Sequence, residues 1–233
     1  MNTLSRLTLS LGLLALCTPA LAGRPLQTED AGVLEPGACE VEGVFERVRV
    51  DGATASSRSL GASCGIGLRS QLGGSGSWSK AGGERARSAG IGGKTLLWAG
   101  AGDGAPAFTL AWGVDADRVD GHWRRSGHFL NAVASLGAGP GTLHANLGHA
   151  REREPRRSLT TWNLAWEHEG LALAGLTLAP MAEVYGDDRG DRFWNLAARL
   201  TLIPDRLFID ASYGRQFNAD KARLLTAGFK LAF

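Results

Sequence analysis

Leu224–Phe233, "LLTAGFKLAF", closes the chain on an alternation of apolar and other residues. Leu225, Ala227, Phe229, Leu231 and Phe233 share one parity, and Thr226, Gly228, Lys230 and Ala232 share the other. Chain ends that carry no structural duty usually fray. A terminal strand with a Phe as its last residue is instead built to pair along its whole length, one face apolar.

The same period of two runs back through the sequence. Leu60, Ala62, Cys64, Ile66 and Leu68 alternate with small and polar residues, as do Phe108, Leu110, Trp112 and Val114, then Trp162, Leu164 and Trp166, then Trp194, Leu196, Ala198, Leu200 and Leu202. No stretch of helical length shows a 3.6-residue period. Turn signals divide the pattern into about twelve strands, expected at 38–49, 57–69, 71–80, 87–98, 107–116, 127–137, 142–150, 159–168, 172–185, 192–203, 207–215 and 223–233. The connections alternate between two kinds. Compact ones fall at Ser70-Gln71, 99–106, "GAGPG" (137–141), "EGL" (169–171) and "IPDR" (203–206); charged ones are "VDGATASS", "AGGERAR", "DRVDGHWRRSG", "REREPRRS", "GDDRGD" and "FNADKAR". Short turns at one end and longer loops at the other, with an even strand count, describe an up-and-down outer-membrane barrel.

Other features narrow the class. "MNTLSRLTLSLGLLALCTPALAG" carries Arg6, a short apolar core and an Ala20-Leu21-Ala22 cleavage pattern, so 1–22 reads as a secretory signal peptide. Leu16 stands before Cys17 where a lipoprotein signal needs a small residue. The net charge of +2 over 233 residues carries no basic footprint for nucleic acid. The longest apolar run, Leu171–Met181, falls short of the roughly 18 residues of a membrane helix. Alternation alone fits a soluble sandwich as well as a membrane barrel. Small residues on the polar parity (Ser59–Gly67, Gly90–Gly92), aromatics near strand ends (Phe45, Trp78, Trp98, Phe108, Trp162, Trp194, Tyr213) and the terminal Phe favour the barrel. Its last strand must close on the first so that no edge is left. Leu225, Phe229, Leu231 and Phe233 then form a terminal signal for the barrel-assembly machinery.

Cys39 and Cys64 lie equidistant from a turn at Asp51-Gly52, on the apolar parity of their strands. They form either a cross-strand disulfide, which an oxidising periplasm supports, or two small buried thiols.

"GRPLQTEDAGVLEPGACEVEGVFERVR" at the start of the processed chain resembles the opening of a family of bacterial outer-membrane proteins labelled for the meta-cleavage (MetA) pathway of phenol degradation. Arg24-Pro25, Thr28-Glu29-Asp30-Ala31, Pro36-Gly37, Glu40 and Glu42 carry the likeness. It implies a surface barrel with a part in uptake of small aromatic compounds. Residues 23–37 would hang in the periplasm or fold as a plug, and 38–233 would be the barrel.

The lumen parity collects charges of both signs: Glu40, Glu42, Glu46, Asp115, Glu167, Glu183 and Asp210 against Arg69, Lys94, Arg199 and Lys230. They either pair across a narrow interior and fill it or form a constriction that filters solutes. Lys230 would stand beside Glu40 and Glu42 once the barrel closes. No cofactor or metal is expected. "SAGIGGKT" (88–95) lacks the first Gly of a phosphate loop and a following helix, and His122, His128, His144, His149 and His168 lack metal-ligand spacing. Ser135, His144 and Asn146 share the lumen parity, the makings of a lipid-modifying enzyme, yet no nucleophile elbow accompanies them. Arg151, Arg153, Arg156 and Arg157 are candidates to grip lipopolysaccharide phosphates. Three readings follow: a passive channel for small aromatic solutes, a closed structural or adhesive barrel, and an outer-membrane enzyme.

Overall fold

The computed structural model describes residues 25–153, 156–217 and 222–233; the signal-peptide segment lies outside them. Thirteen strands follow in order: β1 Cys39–Val50, β2 Ala53–Gly67, β3 Ser70–Ala81, β4 Glu84–Ala99, β5 Ala107–Val119, β6 His122–Gly137, β7 Gly141–Glu152, β8 Arg157–His168, β9 Leu171–Leu173, β10 Leu176–Asp187, β11 Arg192–Ile203, β12 Leu207–Gln216 and β13 Arg223–Ala232. Apart from β8 and β9, consecutive strands pair antiparallel, and β1 pairs with β13. β8 and the short β9 share one partner, β10, so they make one interrupted staff of a closed twelve-strand barrel. Closure reaches the last residue: the Phe233 N–H donates to the Cys39 carbonyl (2.9 Å) and the Cys39 N–H to the Phe233 carbonyl (2.8 Å).

Alternation places the two parities on opposite faces. The outward face carries the large apolar side chains, among them Leu60, Ile91, Leu147, Leu196, Leu225 and Phe229. The buried set is mostly polar, including Glu40, Glu46, Ser63, Gln71, Lys94, Thr109, Asp115, His144, Asn146, Glu183, Asn195, Asp210 and Ser212, with Val48, Val133, Leu159, Met181 and Phe193 among its apolar members. This inverts the arrangement of a soluble sandwich and is the distribution a lipid-facing barrel requires. The Phe229 ring lies where a Cβ on Gly43 would stand, covering a bare patch of the neighbouring strand.

The ends of the barrel depart from expectation in two respects. Three of the six charged connections are largely strand. β1 and β2 meet through Asp51-Gly52, β3 and β4 through Gly82-Gly83, and β5 and β6 through Asp120-Gly121, each with positive φ at both turn residues. Such two-residue turns match the twist of the flanking strands, so the charged stretches extend the staves rather than loop over them. Two compact turns are also displaced. Leu68 and Arg69 (φ 53° and 55°) form the β2–β3 turn expected at Ser70-Gln71. Ala174 and Gly175 (φ 49° and 83°) form the turn expected at 169–171.

Cys39 and Cys64 stand directly opposite each other in the β1–β2 register and are joined by a disulfide.

Candidate functional site

Residues 25–37 enter the barrel from the end that holds both termini of the sheet. Entry depends on Gly65: a Cβ there would run into the carbonyl oxygens of Leu34 and Glu35. The Gly37 N–H donates to the Gly65 carbonyl (3.0 Å), and Pro36 forms an isolated parallel bridge with Gly65.

Once inside, an extended segment has no sheet partner, so its backbone polar groups must be met by lumen side chains. Glu183 accepts from the Gln27 N–H (2.9 and 3.0 Å), the Thr28 N–H (2.9 Å) and the Thr28 hydroxyl (2.7 Å), and from Asn195 Nδ2 (2.9 Å). Asn146 reads Glu29 from both sides, accepting its N–H (2.7 Å) and donating to its carbonyl (2.9 Å). Asn163 donates to the Gln27 carbonyl (3.0 Å), and Lys94 to the Asp30 carbonyl (3.0 Å). Thr109 donates to the Ala31 carbonyl (2.6 Å), and Gln71 accepts from the Leu34 N–H (2.8 Å). These bonds come from β3, β4, β5, β7, β8 and β10, around much of the circumference. Leu26 adds an apolar anchor against Ala165 and Met181.

Glu29 is the exception to this satisfaction. It is fully buried, and neither carboxyl oxygen has a hydrogen-bond partner. Burial pushes its pKa up to about 7; Lys94 works against the rise, and Asp30 and Glu42 add to it.

Eight of the eleven lumen charges expected from the sequence fall into three groups. Lys230 contacts Glu40 and, at 3.9 Å, Glu42. Arg199 lies 3.6 Å from Glu167 and directly opposite Asp210 in register. Lys94 reaches the Asp30 carboxylate at 3.6 Å, and Glu183 holds the segment as described. Glu46 and Asp115 instead line a cavity above the segment. Arg69 is a correction: it stands exposed in the β2–β3 turn, outside the lumen, because the reversal comes two residues earlier than expected.

Sequence reasoning named Glu183 and Lys94 as lumen charges and left residues 23–37 as a periplasmic segment or a plug, without joining the two. Asn146 and Ser135 drew attention only as enzymatic candidates, and Gln71, Thr109 and Asn163 drew none. The Ser135 hydroxyl does lie 2.8 Å from His144 Nδ1, with Glu167 3.8 Å from the far ring nitrogen. However, Ser135 Oγ also accepts the Ala31 N–H (2.8 Å). The hydroxyl thus also holds the segment, as Asn146 in the next rung holds Glu29. The constellation forms an anchoring ladder for residues 29–31.

Above the segment, toward the charged hairpins, lies a cavity of about 190 Å³ floored by Gln27. Tyr185 and Phe193 stack on one wall, ring centroids 5.1 Å apart and planes within 9°. Phe129 leans over Gly113 where a Cβ would collide with its ring. Val48, Leu159 and Leu224 complete an apolar lining, with Glu46, Asp115, Glu152 and Asp187 among the polar groups. Glu152 is held by Arg157 at 3.1 Å. Arg157 therefore faces the interior, a second correction to the expectation that "REREPRRS" presents all its arginines outward; Glu154 and Pro155 lie outside the described residues.

No family model and no curated protein matches this chain. Among solved structures, an outer membrane channel from Pseudomonas putida F1 is similar, with a TM-score of 0.66, 9% identity, and coverage of 89% of this chain and all of that one. The KdgM porin in complex with oligogalacturonate gives 0.55, at 9% identity and 82% and 99% coverage. The β domain of the Bordetella autotransporter BrkA gives 0.52, at 15% identity and 84% and 99% coverage. The chain has the fold of outer-membrane barrels. At these identities the likeness extends to the fold alone.

Proposed function

We propose that this chain is a bacterial outer-membrane channel for small aromatic solutes, closed at rest by its own residues 25–36. The carrying observation is the occupied lumen: a peptide segment held by polar side chains from half the staves, below an open cavity walled by Tyr185, Phe193 and Phe129. An apolar exterior around a polar interior supports the membrane setting. Stacked rings with a few polar groups suit an aromatic ring bearing a hydroxyl. The likeness of residues 24–42 to the phenol-degradation family points to the same solute class. The outward Leu225, Phe229, Leu231 and Phe233 of β13 support recognition by the barrel-assembly machinery.

A second reading, a structural barrel without a pore, draws on the same hydrogen bonds: a segment fixed at so many points could be permanent. Single-channel recording of the refolded processed chain in a planar bilayer separates the two. Discrete current steps, interrupted by millimolar phenol, are expected of the channel. A silent bilayer, with heat-modifiable migration showing a folded barrel, would leave the structural reading standing.

A further inference from the structure

Beyond the apolar belt, the two faces of the barrel segregate charge by sign. Among the described strand residues, every charged side chain on the outward parity is Arg or Lys, and no carboxylate shares that face. All of these bases lie toward the hairpin end. Their acidic neighbours in sequence, such as Glu46 beside Arg47 and Glu152 beside Arg151, point inward by the alternation of the strand.

The bases are also set against one another. Arg223 of β13 stands directly opposite Arg49 of β1 on one side and Arg215 of β12 on the other. Lys80 of β3 likewise faces Arg85 of β4. Like charges directly opposite on one sheet face destabilise the pairing, and a low-dielectric surrounding sharpens the repulsion. Three guanidinium groups on adjacent strands therefore call for an anion between them. The layer immediately below contains Tyr213, Leu225 and a further base, Arg47, while Trp194 stands opposite Arg215 in the arginine row itself and packs edge-on against Tyr213 at 5.8 Å. Aromatic residues of that kind mark the boundary of the hydrocarbon. At about 3.4 Å per residue, the arginine row sits roughly 7 Å beyond Tyr213 and level with Trp194, at the hydrocarbon–headgroup boundary.

We infer that Arg49, Arg215 and Arg223 form a phosphate-binding site on the outer wall of the barrel, and that its occupant is the phosphorylated glucosamine headgroup of the lipid A leaflet. Each guanidinium offers paired N–H donors that match a phosphate dianion. A full row of bases with no acid among them complements a leaflet in which every glycolipid is anionic. The inference rests on the outer-membrane setting proposed above but is independent of whether the lumen conducts.

The test is native mass spectrometry of the folded, processed chain in a neutral detergent, titrated in turn with lipid A, dephosphorylated lipid A and phosphatidylglycerol. The intact protein should retain lipid A at least tenfold better than either of the others, and R49Q/R215Q/R223Q should lose that preference while keeping heat-modifiable migration. Equal retention of dephosphorylated lipid A or of phosphatidylglycerol, or an undiminished preference in the triple variant, would overturn the site. If the triple variant does not fold, the comparison of the three lipids on the unaltered chain decides alone. Absence of heat-modifiable migration in the unaltered chain would instead contradict the membrane barrel itself.

Discussion

The two halves of the lumen are built from the same staves and the same alternation, yet they are filled differently. Toward the termini, Glu183, Asn146, Lys94, Thr109 and Gln71 spend their polar groups on the backbone of residues 27–34. Toward the hairpins, Tyr185, Phe193, Phe129, Glu46 and Asp115 surround open space. The difference teaches that a polar wall does not by itself make a pore or a plug. What decides is whether a strand-like guest can place its N–H and carbonyl groups against that wall. The ladder of Asn, Gln, Thr and Ser lies where the guest lies, and the apolar wall begins where it ends.

Removing the guest is the harshest way to break this contrast. Deletion of residues 25–36 should turn the closed half into an extension of the open one, raising single-channel conductance several-fold while the barrel remains heat-modifiable. Taking away its strongest anchor comes next. Glu183→Ala leaves Gln27 N–H, two donors of Thr28 and Asn195 Nδ2 without an acceptor. At about 1–3 kcal/mol for each buried group left unsatisfied, docking should weaken by at least about 3 kcal/mol, read as frequent openings of a channel that otherwise stays shut.

Acidity should tune the same balance. The docked Glu29 has its pKa raised from 4.5 to about 7, so the docked state binds the proton more tightly than the free segment does. Docking is therefore strongest below about pH 4.5, weakens as pH rises, and levels off above about pH 7, a span of about 3 kcal/mol. Open probability should climb between pH 5 and 7, and Glu29→Gln should flatten that climb. The open half is probed more gently by Tyr185→Ala, which should weaken block by phenol without altering the resting current. The smallest effect on either half is expected from Cys39→Ala/Cys64→Ala. The disulfide lies on the outward parity, outside the lumen, so its loss should lower stability by about 3 kcal/mol and leave conductance unchanged.

Much of the barrel could be read from the chain, and for a physical reason: parity is a local property. Cys39 facing Cys64, and Lys230 beside Glu40 and Glu42, follow once a turn at Asp51-Gly52 and closure of the last strand on the first are granted. Turns that place a residue other than Asp or Gly at positive φ were not legible. Leu68-Arg69 and Ala174-Gly175 look like strand, and misplacing the first put Arg69 in the lumen. The charged hairpins misled for the opposite reason, since polar composition suggested loops where tight turns at Gly let pairing continue. The segment's docking was least visible of all. It joins residues 37 to 156 positions apart, and apart from Glu183 and Lys94 the partners are uncharged; neither periodicity nor charge marks an Asn or Thr as the partner of a distant backbone. Gly65 was the one local clue, a strand glycine that a passing chain requires.

The central claim, that residues 25–36 close a lumen that otherwise conducts, is tested most directly by tethering the segment where it lies. The Ala31 carbonyl accepts from the Thr109 hydroxyl, so Ala31→Cys with Thr109→Cys can be bridged by a short bis-maleimide while the native disulfide stays oxidised. Planar-bilayer recordings before and after bridging should show discrete openings in the free double variant and silence once the segment is locked. The same current in both, whether full or nil, would contradict the account.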